Sequence, residues 1–186
     1  MASETLDIML DIETMALTPD ALVLSIGAIQ FASRSVDLDT RDTMLVVPNF
    51  MEQVMCGRRI DPETQKWWGD GERSRAAEHW LTPPAGAQMP VRSALAELAL
   101  FVRSTSSGRI WANGAVFDIG ILEHLYRSVN MAIPWKYNAV RDSRTIRQEI
   151  PPIPARDATD ELTGETAHHP VSDCKVQIRD LWIRGF

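Results

Sequence analysis

The chain has 186 residues, of which 45% are hydrophobic, which is enough for one compact α/β domain and short for two. Its formal net charge is −6, from 25 acidic and 19 basic residues, and this argues against a protein that coats duplex DNA through a broad basic field. The chain shows neither the roughly 18 consecutive apolar residues of a membrane span nor a signal peptide pattern, so we expect a cytoplasmic protein without a membrane partner. Its two cysteines, Cys56 and Cys174, lack the neighbours of a disulfide framework or a zinc site.

The first part of the chain predicts three strands and a helix. Residues 5–13 alternate between apolar and polar side chains, which is the period of a strand. Two more strands are predicted at residues 22–31 and 43–47, and their short links favour an antiparallel meander. A helix is expected to begin at Pro62, because proline suits the first helical turn and Asp61 before it is a good N-cap.

The rest of the chain alternates helices with short strands. This order implies an α/β fold with a mixed central sheet, antiparallel at its start and parallel afterwards, flanked by helices. We expect one domain over residues 1–186, in which the proline-containing, non-periodic residues 151–167 form a mobile loop. The predicted elements are a helix at 91–104, a strand at 109–112, a helix at 117–129, a strand at 138–141, a helix at 142–149 and a helix from 170 towards 184.

Four carboxylates follow predicted strands or begin predicted helices. Asp11 and Glu13 are two residues apart on a strand, so their side chains share a face and can close on one hard cation. Asp118 and Asp173 each lie in the first turn of a predicted helix. Taken singly, Asp11 and Glu13 are better explained as solvent-facing acids at a strand end, and Asp118 and Asp173 are equally explained as helix-start acids. Because sites in α/β folds gather at the carboxyl ends of strands, we expect the four to converge on one metal centre.

Two histidines compete for the role of proton acceptor beside that centre. His169 would share a helix face with Asp173 if the last helix extended backwards. Pro170, however, belongs at the first helical position, which leaves His169 at the cap and His168 in the preceding loop. A loop histidine can swing over the metals without breaking the helix, so we favour His168 as the catalytic residue.

Three motifs, taken in order, resemble those of a known family. Asp11-Ile-Glu-Thr14, Asn113-Gly-Ala-Val-Phe-Asp118 and His168-His-Pro-Val-Ser-Asp173 look like the motifs of the DEDDh 3′-to-5′ exonucleases, which have a ribonuclease H-like fold. Residues 60–68 and 134–145 are similar to a branch that contains phage exonuclease A and a mycobacterial exoribonuclease. The resemblance covers nearly the whole chain and implies action in the cytoplasm of a bacterial or phage-infected host cell.

The resemblance implies a two-metal hydrolysis of phosphodiesters. Asp11, Glu13 and Asp173 would hold one Mg²⁺ or Mn²⁺, and Asp11 and, through water, Asp118 would hold the second, about 4 Å away. All-oxygen ligation suits these hard ions. His168 would take the proton from the attacking water, a role that suits a group titrating near pH ~6.5. The products would be 5′-mononucleotides released from single-stranded 3′ ends.

The sequence also suggests substrate contacts. Trp67 and Trp68 diverge by about 100° on a helix, so one ring can enter the core while the other faces the cleft and stacks on a base. The alternative is that both rings pack within the domain. We take Trp68, Thr14 and Asn113 as candidate substrate-binding residues, although Asn113 fits a simple turn equally well.

Several alternatives stay open at this level. As the single-stranded substrate, DNA is slightly favoured over RNA, and a 3′-to-5′ exoribonuclease is the alternative, decided by contacts to the 2′ hydroxyl. An inactive ribonuclease H-like binding module is less favoured, because such a module has no reason to keep four mutually repelling carboxylates. The oligomeric state is not readable, and a homodimer is among the options.

Overall fold

The computed structural model describes residues 6–32, 38, 41–70, 73–105, 108–154 and 167–186. Its strands are β1 (Leu6–Thr14), β2 (Val23–Ala32), β3 (Thr43–Pro48), β4 (Gln88–Met89), β5 (Ile110–Ala112) and β6 (Val140–Asp142). They form one sheet in the order β4-β3-β2-β1-β5-β6. The β1–β2 and β2–β3 pairs are antiparallel, whereas β4 runs parallel to β3, and β5 and β6 run parallel to β1. The mixed sheet predicted from the sequence is confirmed.

Helices cover both faces of this sheet. They are α1 (Phe50–Met55), α2 (Pro62–Trp68), α3 (Arg73–Leu81), α4 (Val91–Arg103), α5 (Ala115–Ser128), α6 (Ser143–Glu149) and α7 (Pro170–Trp182), with a 3₁₀ turn at Tyr137–Ala139. As predicted, α2 begins at Pro62, and the Asp61 carboxylate accepts hydrogen bonds from the backbone N–H groups of Glu63 and Thr64. None of the helices in the described part of the chain has the length and apolar character that crossing a bilayer requires.

The central strand β1 is buried on both faces, and its two faces have different partners. Ile8 and Leu10 belong to a core cluster with α4 and α5. Met9 points the other way and packs with α7. By the two-residue period of a strand, Asp11 and Glu13 share the face of Met9. The candidate metal ligands therefore face the side of the sheet that α7 covers.

Some elements differ from the sequence-based prediction. Helix α5 begins at Ala115, two residues earlier than expected, and β6 begins at Val140, after the 3₁₀ turn. Helices α1 and α3 and strand β4 were not predicted, because each is short and shows little apolar periodicity. Most of the predicted mobile loop, residues 155–166, lies outside the described residues.

A close approach at Gly27 sets the position of α7. A Cβ atom at residue 27 would lie 2.5 Å from the Pro170 Cβ and 2.8 Å from the Val171 backbone nitrogen, distances that real Cβ atoms do not show. Gly27 is also the register partner of Asp11 across the β1–β2 pair. The first turn of α7, which carries Asp173, can lie against the sheet beside Asp11 only because residue 27 has no side chain.

We therefore expect Gly27→Ala to destabilise the protein by about 1 to 3 kcal/mol, the usual cost of overpacking, and to lower activity by shifting Asp173. Gly120→Ala is the matched control, because a Cβ there meets nothing within 4 Å. Its helical position should make the control neutral or up to about 1 kcal/mol more stable. Urea unfolding of the two variants measures the difference, and equal free energies of unfolding would refute the close-packing argument.

Candidate active site and metal centre

A cleft of about 780 Å³ opens where β1 and β5 end. The structure brings together in it all of the residues that the sequence nominates. The five predicted catalytic residues that line it are Asp11, Glu13, Asp118, His168 and Asp173, and the three predicted substrate contacts are Thr14, Trp68 and Asn113. These residues come from β1, α2, the β5–α5 connection, α5, α7 and the loop before α7, so the sheet and its helices converge at this end.

Asp11 and Glu13 lie near the carboxyl end of β1, where Glu13 is buried and Asp11 is partly buried. Burial, and next the charges of Asp118, Glu13 and Asp173, hold the pKa of Asp11 well above its usual range. The Gln177 side chain opposes this shift by donating a hydrogen bond of 2.8 Å to the Asp11 Oδ1. Glu13 is only 8% exposed, and burial followed by the charges of Asp173 and Asp118 raises its pKa to about 8.

Asp118 reaches the same cleft from the first turn of α5. The chain leaves β5 through Gly114, whose φ of 102° is a left-handed conformation that favours glycine, and α5 starts at once. The Asp118 Oδ1 then accepts a hydrogen bond of 3.3 Å from the Ile12 backbone N–H, between the two β1 carboxylates. Burial is the main reason that the pKa of Asp118 is raised to about 7. The early start of α5 thus fixes this acid against β1.

Glu13, His168 and Asp173 form the tightest group in the cleft. One potential ligand atom from each lies within 4.8 Å of the others, a spacing that suits a shared cation. Asp173 is held in the first turn of α7, where its backbone N–H donates to the His169 carbonyl at 2.9 Å. Among the described residues, this group comes nearest to the arrangement of ligands in a metal site.

The loop before α7 presents His168 to the carboxylates. Pro170 occupies the first turn of α7 and His169 is its N-cap residue, as the position of the proline predicts. His168 has a left-handed backbone, with φ of 60°. The Trp80 indole N–H donates to the His168 carbonyl at 2.7 Å, and the His168 ring meets the Trp67 ring edge to face with centroids 5.1 Å apart. The surrounding tryptophans thus fix a strained residue in place.

From the sequence, Trp68 is the predicted substrate contact, but the structure buries Trp68 and exposes Trp67. Trp68 is 1% exposed, packs in the core, and donates its indole N–H to the Thr14 carbonyl at 3.0 Å. A base cannot stack on a ring so enclosed. Trp67 is 39% exposed and also lines the cleft, so it offers the accessible ring. Thr14 is itself buried, and its hydroxyl donates to the Ala16 carbonyl at 2.8 Å.

The structure adds residues that the sequence analysis did not assign to the site, among them Arg144, for which a solvated face was the favoured interpretation. Gln177 contacts Asp11 and stands four residues after Asp173 on α7, so the helical period could have indicated it. The Arg144 guanidinium donates to the Asn113 carbonyl at 2.8 Å and lines the cleft, together with Lys66 from α2. The charge of Arg144 acts to lower the pKa of Asp118. Two cations, Lys66 and Arg144, therefore line the cleft with the four candidate metal ligands and two further acids, Glu63 and Asp70.

The raised carboxyl pKa values predict how the stability of the metal-free protein depends on pH. In the folded chain Glu13 keeps its proton up to about pH 8 and Asp118 up to about pH 7, whereas in the unfolded chain both lose their protons near pH ~4. The folded state then binds more protons, so stability is greatest at low pH and falls as pH rises through 7 and 8. We expect a free energy of unfolding lower by a few kcal/mol at about pH 8.5 than at about pH 5.5, at about 1.4 kcal/mol per pKa unit.

Urea unfolding in EDTA at both pH values measures this difference. Saturating Mn²⁺ should reduce it, because a bound cation favours the ionised carboxylates. A metal-free protein that becomes more stable with rising pH over this interval would contradict the burial of the acids.

Comparison with known proteins identifies a family and a fold. A family model described as a 3′-5′ exoribonuclease Rv2179c-like domain matches residues 6–182. A search of curated proteins finds no match. The fold is similar to the zinc-bound form of the Escherichia coli exonuclease I complex with single-stranded DNA, with a TM-score of 0.66 at 12% identity over 97% of this chain and 40% of that one.

Other exonuclease I structures give the same result. The E. coli enzyme in complex with a dA16 oligonucleotide has a TM-score of 0.59 at 14% identity, over 94% of this chain and 39% of that one. An exonuclease I without ligand has a TM-score of 0.61 at 13% identity, over 97% and 42%. The chain thus spans about 40% of the length of exonuclease I, and the likeness confirms the ribonuclease H-like α/β fold. Since the family model spans nearly the whole chain, this protein belongs to the Rv2179c-like 3′-5′ exoribonuclease family, within the DEDDh exonuclease superfamily.

Proposed function

We propose that this protein is a metal-dependent 3′-to-5′ exonuclease that releases 5′-mononucleotides from single-stranded ends by two-metal-ion hydrolysis. The observation that carries the proposal is the convergence of Asp11, Glu13, Asp118 and Asp173, with His168, in one cleft. The family to which the chain belongs is one of nucleases, which supports the same chemistry. We further propose that it acts in the cytoplasm. Whether it forms a homodimer is tested by light scattering.

The residues of the cleft fit divalent cations. Glu13 and Asp118 are buried and Asp11 and Asp173 are partly buried. Burial raises the pKa values of Asp11, Glu13 and Asp118, and for Asp11 and Glu13 the charges of the neighbouring site acids raise them further, a cost that hard cations would remove. The donors are oxygens, as Mg²⁺ and Mn²⁺ prefer. Asp11, Glu13 and Asp173 would hold one ion, and Asp11 and Asp118 the other. When bound, the two ions supply activation of water and charge stabilisation at the phosphate and at the leaving 3′ oxygen.

The remaining steps belong to side chains of this protein. His168 accepts the proton of the attacking water, since a neutral imidazole near pH 7 is suited to that task. Trp80 fixes the backbone of His168, and the edge-to-face contact with Trp67 orients its ring. Gln177 holds the Asp11 carboxylate in a single orientation. The catalytic groups are thereby positioned before substrate arrives.

RNA is the substrate that we propose first. The family description names an exoribonuclease, and its model spans residues 6–182. The exonuclease I complexes contain single-stranded DNA, but at 12% to 14% identity they support the fold alone. This order reverses the slight preference for DNA drawn from the sequence and keeps DNA as the alternative.

Trp67 is the proposed stacking surface for the terminal base. Its ring lines the cleft beside His168 and is the exposed member of the tryptophan pair. Base stacking contributes about 1 to 3 kcal/mol, so Trp67→Ala should raise KM by about tenfold or more with a smaller effect on kcat. Trp67→Phe, which keeps a ring, should recover most of the loss. A Trp67→Ala enzyme with an unchanged KM would exclude this role.

The proposed function is tested with matched RNA and DNA strands, single and double, labelled at either end and incubated with Mn²⁺. We expect a 5′-labelled single strand of RNA to shorten one nucleotide at a time, and a 3′-labelled strand to release labelled mononucleotide at once. Internal fragments, or shortening from the 5′ end, would contradict the proposed reaction. Faster cleavage of DNA than of RNA would restore the alternative substrate.

A further inference from the structure

A second cavity of about 510 Å³ lies at the opposite end of β5 and β6 from the cleft. Its walls are the end of α4, the start of β5, and the segment that leads through the 3₁₀ turn into β6. We call this cavity the basic groove, because four cationic residues line it. They are Arg103, Arg109, Lys136 and Arg141.

The charge of the basic groove is unusual for this chain. None of the described residues that line it is acidic, whereas the whole protein carries a formal net charge of −6. Arg109 is neutralised by the buried Asp7, with its Nε 2.8 Å from the Asp7 Oδ1. Arg103, Lys136 and Arg141 are exposed, so they present three positive charges to the cavity. Such a concentration attracts anions with several negative charges in a row.

The backbone fixes one of these cations at the wall of the groove. One terminal nitrogen of Arg141 donates to the carbonyls of Asn138 and Val140, each at 2.8 Å. The guanidinium is therefore held in one orientation before any ligand arrives, and its planar fork matches the geometry of a phosphate. Pre-organisation of this kind lowers the cost of binding.

Strand β6 connects the basic groove with the cleft. It is the last strand of the described sheet on that side, paired with β5 alone, with Arg141 opposite Trp111 and Asp142 opposite Ala112. Arg141 lines the groove, and Arg144, three residues later at the start of α6, lines the cleft. Because three residues span at most about 10 Å, the Cα atoms of these two arginines lie within that distance. Asp142 lies between them, but its carboxylate accepts hydrogen bonds from the backbone N–H groups of Ala115, Arg144 and Thr145. The two arginines thus supply positive charge along one edge of the sheet between the two cavities.

We infer that the basic groove binds the phosphodiester backbone of the substrate strand on the 5′ side of the end that is being hydrolysed. This inference rests on the proposed function, which places the 3′ end in the cleft. The strand follows the β6 edge, where Arg144 and Arg141 contact successive parts of its backbone, and its next phosphates enter the groove at Lys136 and Arg103. The contacts go to phosphates, so they hold the strand without selecting its bases.

Salt-dependent binding without catalysis tests this inference. The full-length protein is titrated, in EDTA, into a 5′-fluorescent single strand of RNA of about 12 nucleotides at several NaCl concentrations. Each phosphate contact on a single strand contributes about 0.7 to the slope of log affinity against log salt. The triple variant Arg103→Ala, Lys136→Ala, Arg141→Ala should therefore lose about 2 from this slope and about tenfold or more in affinity at low salt.

The control removes the same charge elsewhere. Arg92, Arg127 and Arg147 are exposed and line neither cavity, so their triple alanine variant should bind as the wild type does. Equal binding by the two triple variants would overturn the inference. So would displacement of the RNA by a mononucleotide at equal phosphate concentration, because the groove would then be a site for a free phosphoanion.

The outcomes separate the groove from the proposed function. If the wild type trims RNA with Mn²⁺ while the groove variant binds normally in EDTA, the groove inference fails and the proposed function stands. If the groove variant alone loses binding while the wild type releases no mononucleotide, the proposed function fails and the groove stands as a nucleic-acid site.

Discussion

Asp11→Asn is expected to abolish exonuclease activity and, at the same time, to make the metal-free protein more stable. Asp11 is the acid at the centre of the cleft, and its pKa is held high by burial and by the charges of Asp118, Glu13 and Asp173. An asparagine keeps the shape and the oxygen that accepts from Gln177, but it removes the charge. The metal-free fold is then relieved of repulsion, while the ligand proposed to be shared by both ions is lost.

The expected magnitudes make these two effects separable. Loss of several kcal/mol of charge stabilisation lowers the rate by about a thousandfold or more. With Mn²⁺ at about 100 times its dissociation constant, the wild type should gain about 2.7 kcal/mol in free energy of unfolding, and Asp11→Asn should gain much less. Urea unfolding measures the free energy of unfolding with and without Mn²⁺, and the exonuclease assay measures the rate.

A matched control is Asp42→Asn, which changes an exposed acid outside the cleft. It should behave as the wild type does in activity and in the Mn²⁺ effect. If Asp11→Asn also kept the full Mn²⁺ stabilisation, Asp11 would not be a metal ligand.

His168→Asn should reduce kcat by about a hundredfold to ten thousandfold, the range for loss of a general base. Asparagine is chosen because it tolerates the left-handed backbone at residue 168 better than alanine does. The change is then chemical rather than conformational. His169→Ala should retain most activity, because His169 occupies the N-cap position of α7 without a side-chain capping bond and its ring packs towards Trp80.

The same variant decides between two roles for His168. Its ligand atom lies within 4.8 Å of those of Glu13 and Asp173, close enough for a metal ligand as well as for a base. As a base, His168→Asn should lose rate while it keeps the Mn²⁺-dependent stabilisation. Loss of that stabilisation would make the histidine a ligand, and a larger loss of activity in His169→Ala would reverse the choice between the histidines.

The sequence predicted the parts of the site that depend on local periodicity. The strand period placed Asp11 and Glu13 on one face of β1, and the proline at residue 170 placed the start of α7, with His168 just before it. Both patterns work because the backbone geometry of one element decides the direction of its side chains. The mixed order of strands followed from the same local patterns.

The remaining features depend on contacts between residues far apart in the chain. The burial of Trp68 is decided by its packing against β2 and by its hydrogen bond to Thr14, and helical geometry alone could not tell which of the two tryptophans would be exposed. The need for glycine at residue 27 appears only when α7 is placed upon β2. Arg144 joins the cleft because β6 lies beside β5, which brings it to the carbonyl of Asn113.

The most direct test of the metal centre is a crystal structure with Mn²⁺ and a 5′-mononucleotide, with anomalous diffraction recorded at the manganese edge. We predict two anomalous peaks about 4 Å apart, which locate two Mn²⁺ ions that share Asp11 as a ligand. Glu13 and Asp173 should bind one ion, and Asp118 should face the other. His168 should lie beside the phosphate. Manganese bound only outside the cleft, with the four carboxylates free of metal, would contradict the proposed centre.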